Sequence, residues 1–262
     1  LVSRNYTLRE INLANEPIPD SLNSLVIAKP TEPFTDYELY QIDQALMRGT
    51  NIAIFTDAFK EVPNPNQQQG FNMGPSYQPL DTGLEKLLAH YGVQIKKSYV
   101  MDKNCYKQNM GNRGGEQPIY FAPLIKNENI NNDPDFMKNI KGLITINNSP
   151  LYADKEKLAE NGIAAHALLS SSDQSWEMKG RINLNPMFIR PPASGEEYES
   201  YTLAYLLDGR FPSYFAGKPV PMKETGETDP EAEGGEETAA ADAAGIDLSQ
   251  IESENNFRET GQ

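Results

Sequence analysis

The densest run of chemically useful side chains is "SSSDQSW", 170–176, where four hydroxyls and a carboxylate follow an apolar stretch. Such a cluster suits hydrogen bonding to a sugar or a peptide. A serine nucleophile would want a tight elbow of the G-x-S-x-G kind and a histidine base. No glycine flanks these serines, so Ser172 and Ser175 read better as parts of a polar strand-end turn. Asp57 ends a second apolar run, "NIAIFTD", and ligands of open α/β sheets gather at the carboxyl ends of strands. A carboxylate that accepts loop N–H groups is the structural alternative there. "LVIAKPTEPF", 25–34, is another strand end followed by a loop. Phosphate cradles need glycines so that N–H groups can converge, and this loop has none. Pro30 and Pro33 lack N–H donors and stiffen the approach to a helix.

The remaining reactive types are scarce. Cys105 sits in polar "MDKNCYKQ" with no histidine nearby in sequence to lower its pKa. His166 lies inside an apolar strand pattern, which predicts a hydrogen-bonded core imidazole. His90 ends a helical pattern, where a partly charged imidazole suits the helix dipole. None of the three receives a catalytic role. Carboxylate pairs such as Asp133–Asp135 and Glu196–Glu197 read as solvated surface. Tyr201, Tyr205, Phe211, Tyr214 and Phe215 could form a sugar- or protein-contacting surface, or pack the last strand.

These residues must be positioned by a small set of elements. "SLVIAK" (24–29) reads as a buried strand. Thr35 with Glu38 makes a capping box, Leu39, Ile42 and Leu46 follow at helical spacing, and Gly49 falls at the C-terminal cap. With "NIAIFTD" (51–57) this is a βαβ unit, which predicts a parallel sheet. Residues 58–80, rich in Pro, Asn, Gln and Gly, read as a long loop. Thr82 with Glu85 opens a second helix that ends near Gly92. "VQIKKSYVM" reads as one strand, and 102–118 as polar and irregular. "IKGLITINN" (140–148), "IAAHALLSSS" (163–172) and "YTLAYLL" (201–207) read as further strands, with a short helix over 154–161.

Composition narrows the classes. The chain has 262 residues, 38% of them hydrophobic, and a net charge of −14. Residues 223–262 hold 12 acids against two bases and so carry −10 of that charge. Without a basic stripe, the chain is not patterned to bind duplex nucleic acid. One cysteine and two histidines argue against a disulfide framework or a metal site. No run approaches the roughly 18 apolar residues of a membrane span. The acidic tail is too poor in apolar side chains to offset ordering entropy, and reads as a linker.

Several segments together resemble the GldG-like family of gliding-motility and ABC-transporter auxiliary proteins. "LVIAKPTEPFTDYELYQIDQALMRGTNIAIFTD" is similar to its strand, proline loop, helix and second strand. "TGLEKLLAHYGVQI", "SPL…LLSSSDQSW" and "YTLAYLLDGRFPSYF" follow in the family's order. The resemblance implies an α/β domain with a mainly parallel sheet, flavodoxin-like or class I glutamine amidotransferase-like, without that enzyme's catalytic cysteine. It further implies an extracytoplasmic module at the bacterial inner membrane, held by transmembrane segments outside this sequence. Permease and ATPase subunits would be its partners. Sugar binding has been suggested for related domains, including those of intraflagellar transport proteins. A family strand missing from this sequence would leave a sheet edge open for pairing.

The expectation is therefore one extracytoplasmic domain over 1–222 and an acidic linker over 223–262. The domain would be a non-enzymatic binding or assembly module with no cofactor. Pro30, Thr31, Asp57, Ser171, Ser172 and Asp173 would form its ligand-facing edge, for a carbohydrate or a peptide. The alternatives are a glycan or peptide hydrolase using Ser172 or Asp57, and a pure protein-interaction scaffold.

Overall fold

The computed structural model describes residues 4–63, 75–111, 114–193 and 197–223. All but the first residue of the acidic linker, and part of the loop expected over 58–80, lie outside the described residues. The first unit is β1 (Ser24–Ala28), α1 (Asp36–Met47) and β2 (Asn51–Phe55). β1 and β2 pair in parallel, Ser24 opposite Asn51 through Ala28 opposite Phe55. The capping box forms: Thr35 N–H donates to Glu38 at 2.8 Å, and Glu38 N–H to the Thr35 hydroxyl at 3.3 Å. Gly49 ends the helix at φ +89°, a region where a Cβ would be strained. Leu39, Ile42 and Ala45 bury one helix stripe against Leu25, Ile27, Ile52 and Ile54.

Beyond that unit every strand pairing among the described residues is antiparallel. β3 (Phe59–Val62) pairs with β4 (Ser76–Pro79), where the sequence suggests only loop. After α2 (Leu84–His90), the run "VQIKKSYVM" splits into β5 (Val93–Ile95) and β6 (Ser98–Asp102). The break falls at Lys96–Lys97. Lys97 turns to Asp81 at 3.1 Å and Glu85 at 3.6 Å, and caps the Leu80 carbonyl. The supposedly irregular 102–118 opens β7 (Cys105–Asn109), which forms a hairpin with the long β8 (Glu116–Lys126). β9 (Gly142–Ile144) pairs with the far end of β8 and is much shorter than the run 140–148 suggests.

β10 (Leu151–Ala153) pairs with β5, and α3 (Lys155–Glu160) follows under its Asp154 cap. β11 (Ala164–Ser170) pairs with β13 (Thr202–Asp208), and β12 (Ser175–Lys179) with β6. The expected mainly parallel sheet of flavodoxin-like or amidotransferase-like type is thus not the fold. Small antiparallel sheets dominate. The physical reason is the supply of crossovers: a parallel pair needs about a dozen residues or more between its strands. Here α1 spans the parallel β1–β2 pair. The sheets meet over three apolar clusters, around α1 and α2, around β3, β6 and β12, and between β8 and β11.

Candidate functional site

Ser171, Ser172 and Asp173 leave the end of β11 and turn toward β12. Ser171 is fully buried; its N–H donates to the Tyr201 carbonyl and its hydroxyl accepts from Tyr201 N–H, each at 2.9 Å. Ser172 donates its hydroxyl to the buried Asp102 carboxylate at 2.6 Å and its N–H to the same group at 2.8 Å. That hydroxyl also accepts from Gln174 N–H at 3.1 Å. Asp102 takes a further bond from Asn104 N–H at 2.7 Å. The serines are thereby fixed as joints between β6, β11 and β12, and Asp173 is exposed. Neither imidazole touches Ser172 among the described residues.

His166 is opposite Leu206 on β13, four positions up the strand from Ser170, or roughly 13 Å at about 3.3 Å per residue. It is exposed rather than a core imidazole, because it falls on the solvent side of the β11 alternation. His90 does lie at the end of α2, with Nε2 3.1 Å from the Pro212 carbonyl oxygen. Burial lowers its pKa, so the partly charged form expected at a helix end is disfavoured. Cys105 is buried at the start of β7, and burial pushes its thiol up, away from a reactive thiolate.

The other three candidates sit elsewhere. Asp57 meets Lys29 at 3.7 Å, and Lys29 has the left-handed φ of +50°. Thr31 is exposed and its carbonyl accepts from Lys60 at 3.4 Å; Pro30 is half-buried beside it. Among the described residues no hydrogen bond or ion pair links Pro30, Thr31 or Asp57 to the 171–173 turn. The two groups approach β6 at different places, Asp57 near the Tyr99 phenol and Ser172 at Asp102.

A concave feature does lie next to the serine turn. Glu128, Asn129, Asn131, Ser170 and Ser200 line an open groove of about 380 Å³ together with the apolar Ile130, Ala167 and Leu168. Ser171 sits beneath it, its carbonyl accepting from Asn129 Nδ2 at 3.2 Å and from the Ser200 hydroxyl at 2.8 Å. Its polar lining is neutral amide and hydroxyl with one carboxylate, suited to a ligand with hydroxyl or amide groups and little net charge. Asn129, Asn131 and Ser200 were not singled out by their types. The usable signal was "NENINN", four asparagines in six residues, at 127–132.

A second buried carboxylate explains two of the longer sequence patterns. Asp43, from "YQIDQAL" on α1, is fully buried and accepts from Tyr91 hydroxyl at 2.6 Å, Ser213 hydroxyl at 2.7 Å and Tyr214 N–H at 2.8 Å. Ser213 and Tyr214 belong to "GRFPSYF" after β13. The carboxylate therefore ties α1, α2 and the segment after β13 together. Phe211, Tyr214 and Phe215 pack around it, and Tyr201 is buried elsewhere, so the aromatic set is largely packing.

Comparison with known proteins places this framework. No curated protein matches the chain. Among solved structures, the mmIFT52 N-terminal domain is similar at 14% identity and a TM-score of 0.41, over 66% of this chain and 64% of that one. The chain thus spans less than two thirds of that structure, and at this level of likeness nothing is carried over from it. The sequence profile of the ABC-type uncharacterized transport system family matches residues 2–248. That span takes in the α1 unit, the serine turn and the Asp43 hub, and the chain belongs to this family of ABC-type transport auxiliary proteins.

Proposed function

We propose that the chain is a non-enzymatic, GldG-like auxiliary module of an ABC-type transporter, working on the extracytoplasmic side of the membrane. The observation that carries this reading is the family match over residues 2–248. Segments outside the given sequence would hold the module at the membrane, beside permease and ATPase subunits. The polar groove of Asn129, Asn131, Ser170 and Ser200 is its ligand contact, for a carbohydrate or a peptide. A binding role is supported over hydrolysis by the Ser172 hydroxyl, which is directed at Asp102 with no imidazole beside it.

The test is a pull-down from detergent-solubilised membranes with the full chain tethered to a resin. Recovery of a permease or ATPase subunit above an empty-resin control is the expected result. Consistent recovery of neither would sink the transporter reading. Asn129→Ala and Asn131→Ala, with both resins compared by glycan array, separate the groove from the transporter contact.

A further inference from the structure

Between Glu177 and Glu196 the chain carries Lys179, Arg181 and Arg190 and no acid, a local +3 in a protein of −14. Lys179 pairs with Glu177 at 3.4 Å. Arg181 is exposed and has no carboxylate partner among the described residues. The Arg190 guanidinium donates to the carbonyl of its neighbour Ile189 at 3.2 Å and pairs with no described acid. At the tip of the same segment stand Met187 and Phe188, adjacent and 67% and 68% exposed.

The segment is clamped rather than loose. Ile182, Leu184 and Ile189 are buried with Met101 and Trp176. The Asn183 side chain accepts from Asn185 N–H and the Asn185 side chain from Met187 N–H, both at 3.0 Å. Phe188 N–H closes the turn on the Asn185 carbonyl at 3.0 Å. Buried residues on either side thus hold two large apolar side chains out in water, between two guanidiniums that meet no carboxylate among the described residues.

Size and charge decide which partner fits. A stable protein interface buries above about 1,000 Å², whereas two side chains on a turn offer only a few hundred. A lipid surface sets no such minimum and needs no matching shape. Apolar side chains enter the acyl boundary while flanking cations meet lipid phosphates, which the guanidinium fork suits. Screening confines the field to about 8 Å at physiological salt, so a surface meets the Arg181 and Arg190 charges rather than the net charge of the chain.

The geometry points to the Met187–Phe188 tip as a docking surface for an anionic lipid bilayer, with Arg181 and Arg190 as its phosphate-binding cations. The transporter reading enters only by placing a membrane within reach.

Flotation tests it with the full chain and vesicles of phosphatidylcholine alone or mixed with phosphatidylglycerol, at physiological ionic strength. The chain is expected to float with the mixed vesicles and weakly with phosphatidylcholine alone. Arg181→Gln and Arg190→Gln should each reduce binding about fivefold, and Met187→Ser/Phe188→Ser should abolish it. Unchanged melting temperatures in these variants would show a surface effect. No flotation of the unaltered chain on mixed vesicles, or flotation that Met187→Ser/Phe188→Ser leaves intact, overturns the assignment. So does crosslinking of the tip to a membrane protein without vesicle binding, which would make it a protein interface. Because no transporter subunit is present, failure here leaves the pull-down result independent.

Discussion

Single carboxylates in this chain differ in what they do according to burial. Asp43 is inaccessible and holds three donors from two other segments. Asp43→Ala leaves those donors buried without an acceptor and should lower stability by about 3 kcal/mol, read from urea unfolding midpoints. Asp57 sits in a 3.7 Å pair with a lysine that is 77% exposed. Solvent screens that pair, and Asp57→Asn should shift the same midpoint by less than about 0.5 kcal/mol. His90 acts in the opposite direction. Burial lowers its pKa below the ordinary 6.5, with Lys157 adding to that and the Pro212 carbonyl and Asp43 opposing it. Protonation then favours the unfolded chain, so this residue's contribution is present above pH 6.5 and is lost as pH falls through its folded value. His90→Gln should flatten the acid side of a stability–pH profile.

Elements are set by caps and by places where backbones meet. Thr35→Ala removes one side of the reciprocal cap on α1 and should cost about 1 kcal/mol by thermal or urea unfolding. A sharper contrast lies at two glycines. A Cβ on Gly209 would stand 2.6 Å from the Gly162 carbonyl oxygen and 2.9 Å from Ile163 Cα, at φ +145°. Those are backbone atoms where β13 meets the start of β11, and they cannot swing aside. A Cβ on Gly49 meets nothing within 4 Å and suffers only its φ of +89°. Gly209→Ala should therefore destabilise by more than about 2 kcal/mol and Gly49→Ala by about 1 kcal/mol. Equal effects at the two sites would show that the β11–β13 junction yields.

Across the whole molecule, four tyrosines link the fold to pH. Burial raises Tyr91 in the α1–α2 cluster and Tyr99 in the β3–β6–β12 cluster. Tyr201 rises by burial and its bond to Glu199, and Tyr152 is pushed up to about 12 by burial and Glu177. Each is neutral when folded and ionises more readily when unfolded. Their contribution is complete below the ordinary tyrosine value of 10 and is lost as pH rises through the folded values. Urea midpoints should hold to about pH 10 and then fall steeply. Because Tyr91 and Tyr99 lie in separate clusters, near- and far-ultraviolet circular dichroism should lose signal together.

Local signals were enough for the α1 unit. Capping box, helical spacing, Gly49 and two apolar runs all act within about 35 residues, and the parallel β1–β2 pair follows from them. α3, β11 and β13 were legible for the same reason; α2 forms where its apolar spacing predicts, but its N-cap is Gly83, with no side-chain cap bond, rather than the expected Thr82. The hairpins β3–β4 and β7–β8 were not, since polar edge strands carry little hydrophobic alternation. Nor does the type of a residue say whether its donor meets water or a distant partner. Ser172 looks free in "SSSDQSW", yet Asp102, 70 residues earlier, accepts its hydroxyl hydrogen bond. Sequence alone determined the elements with strong local signals, the acidic tail and the family. Strand partners, the groove of Asn129, Asn131, Ser170 and Ser200, and the bonds of Asp43 and Asp102 were decided by tertiary structure, because their donors and acceptors come from segments far apart in the chain.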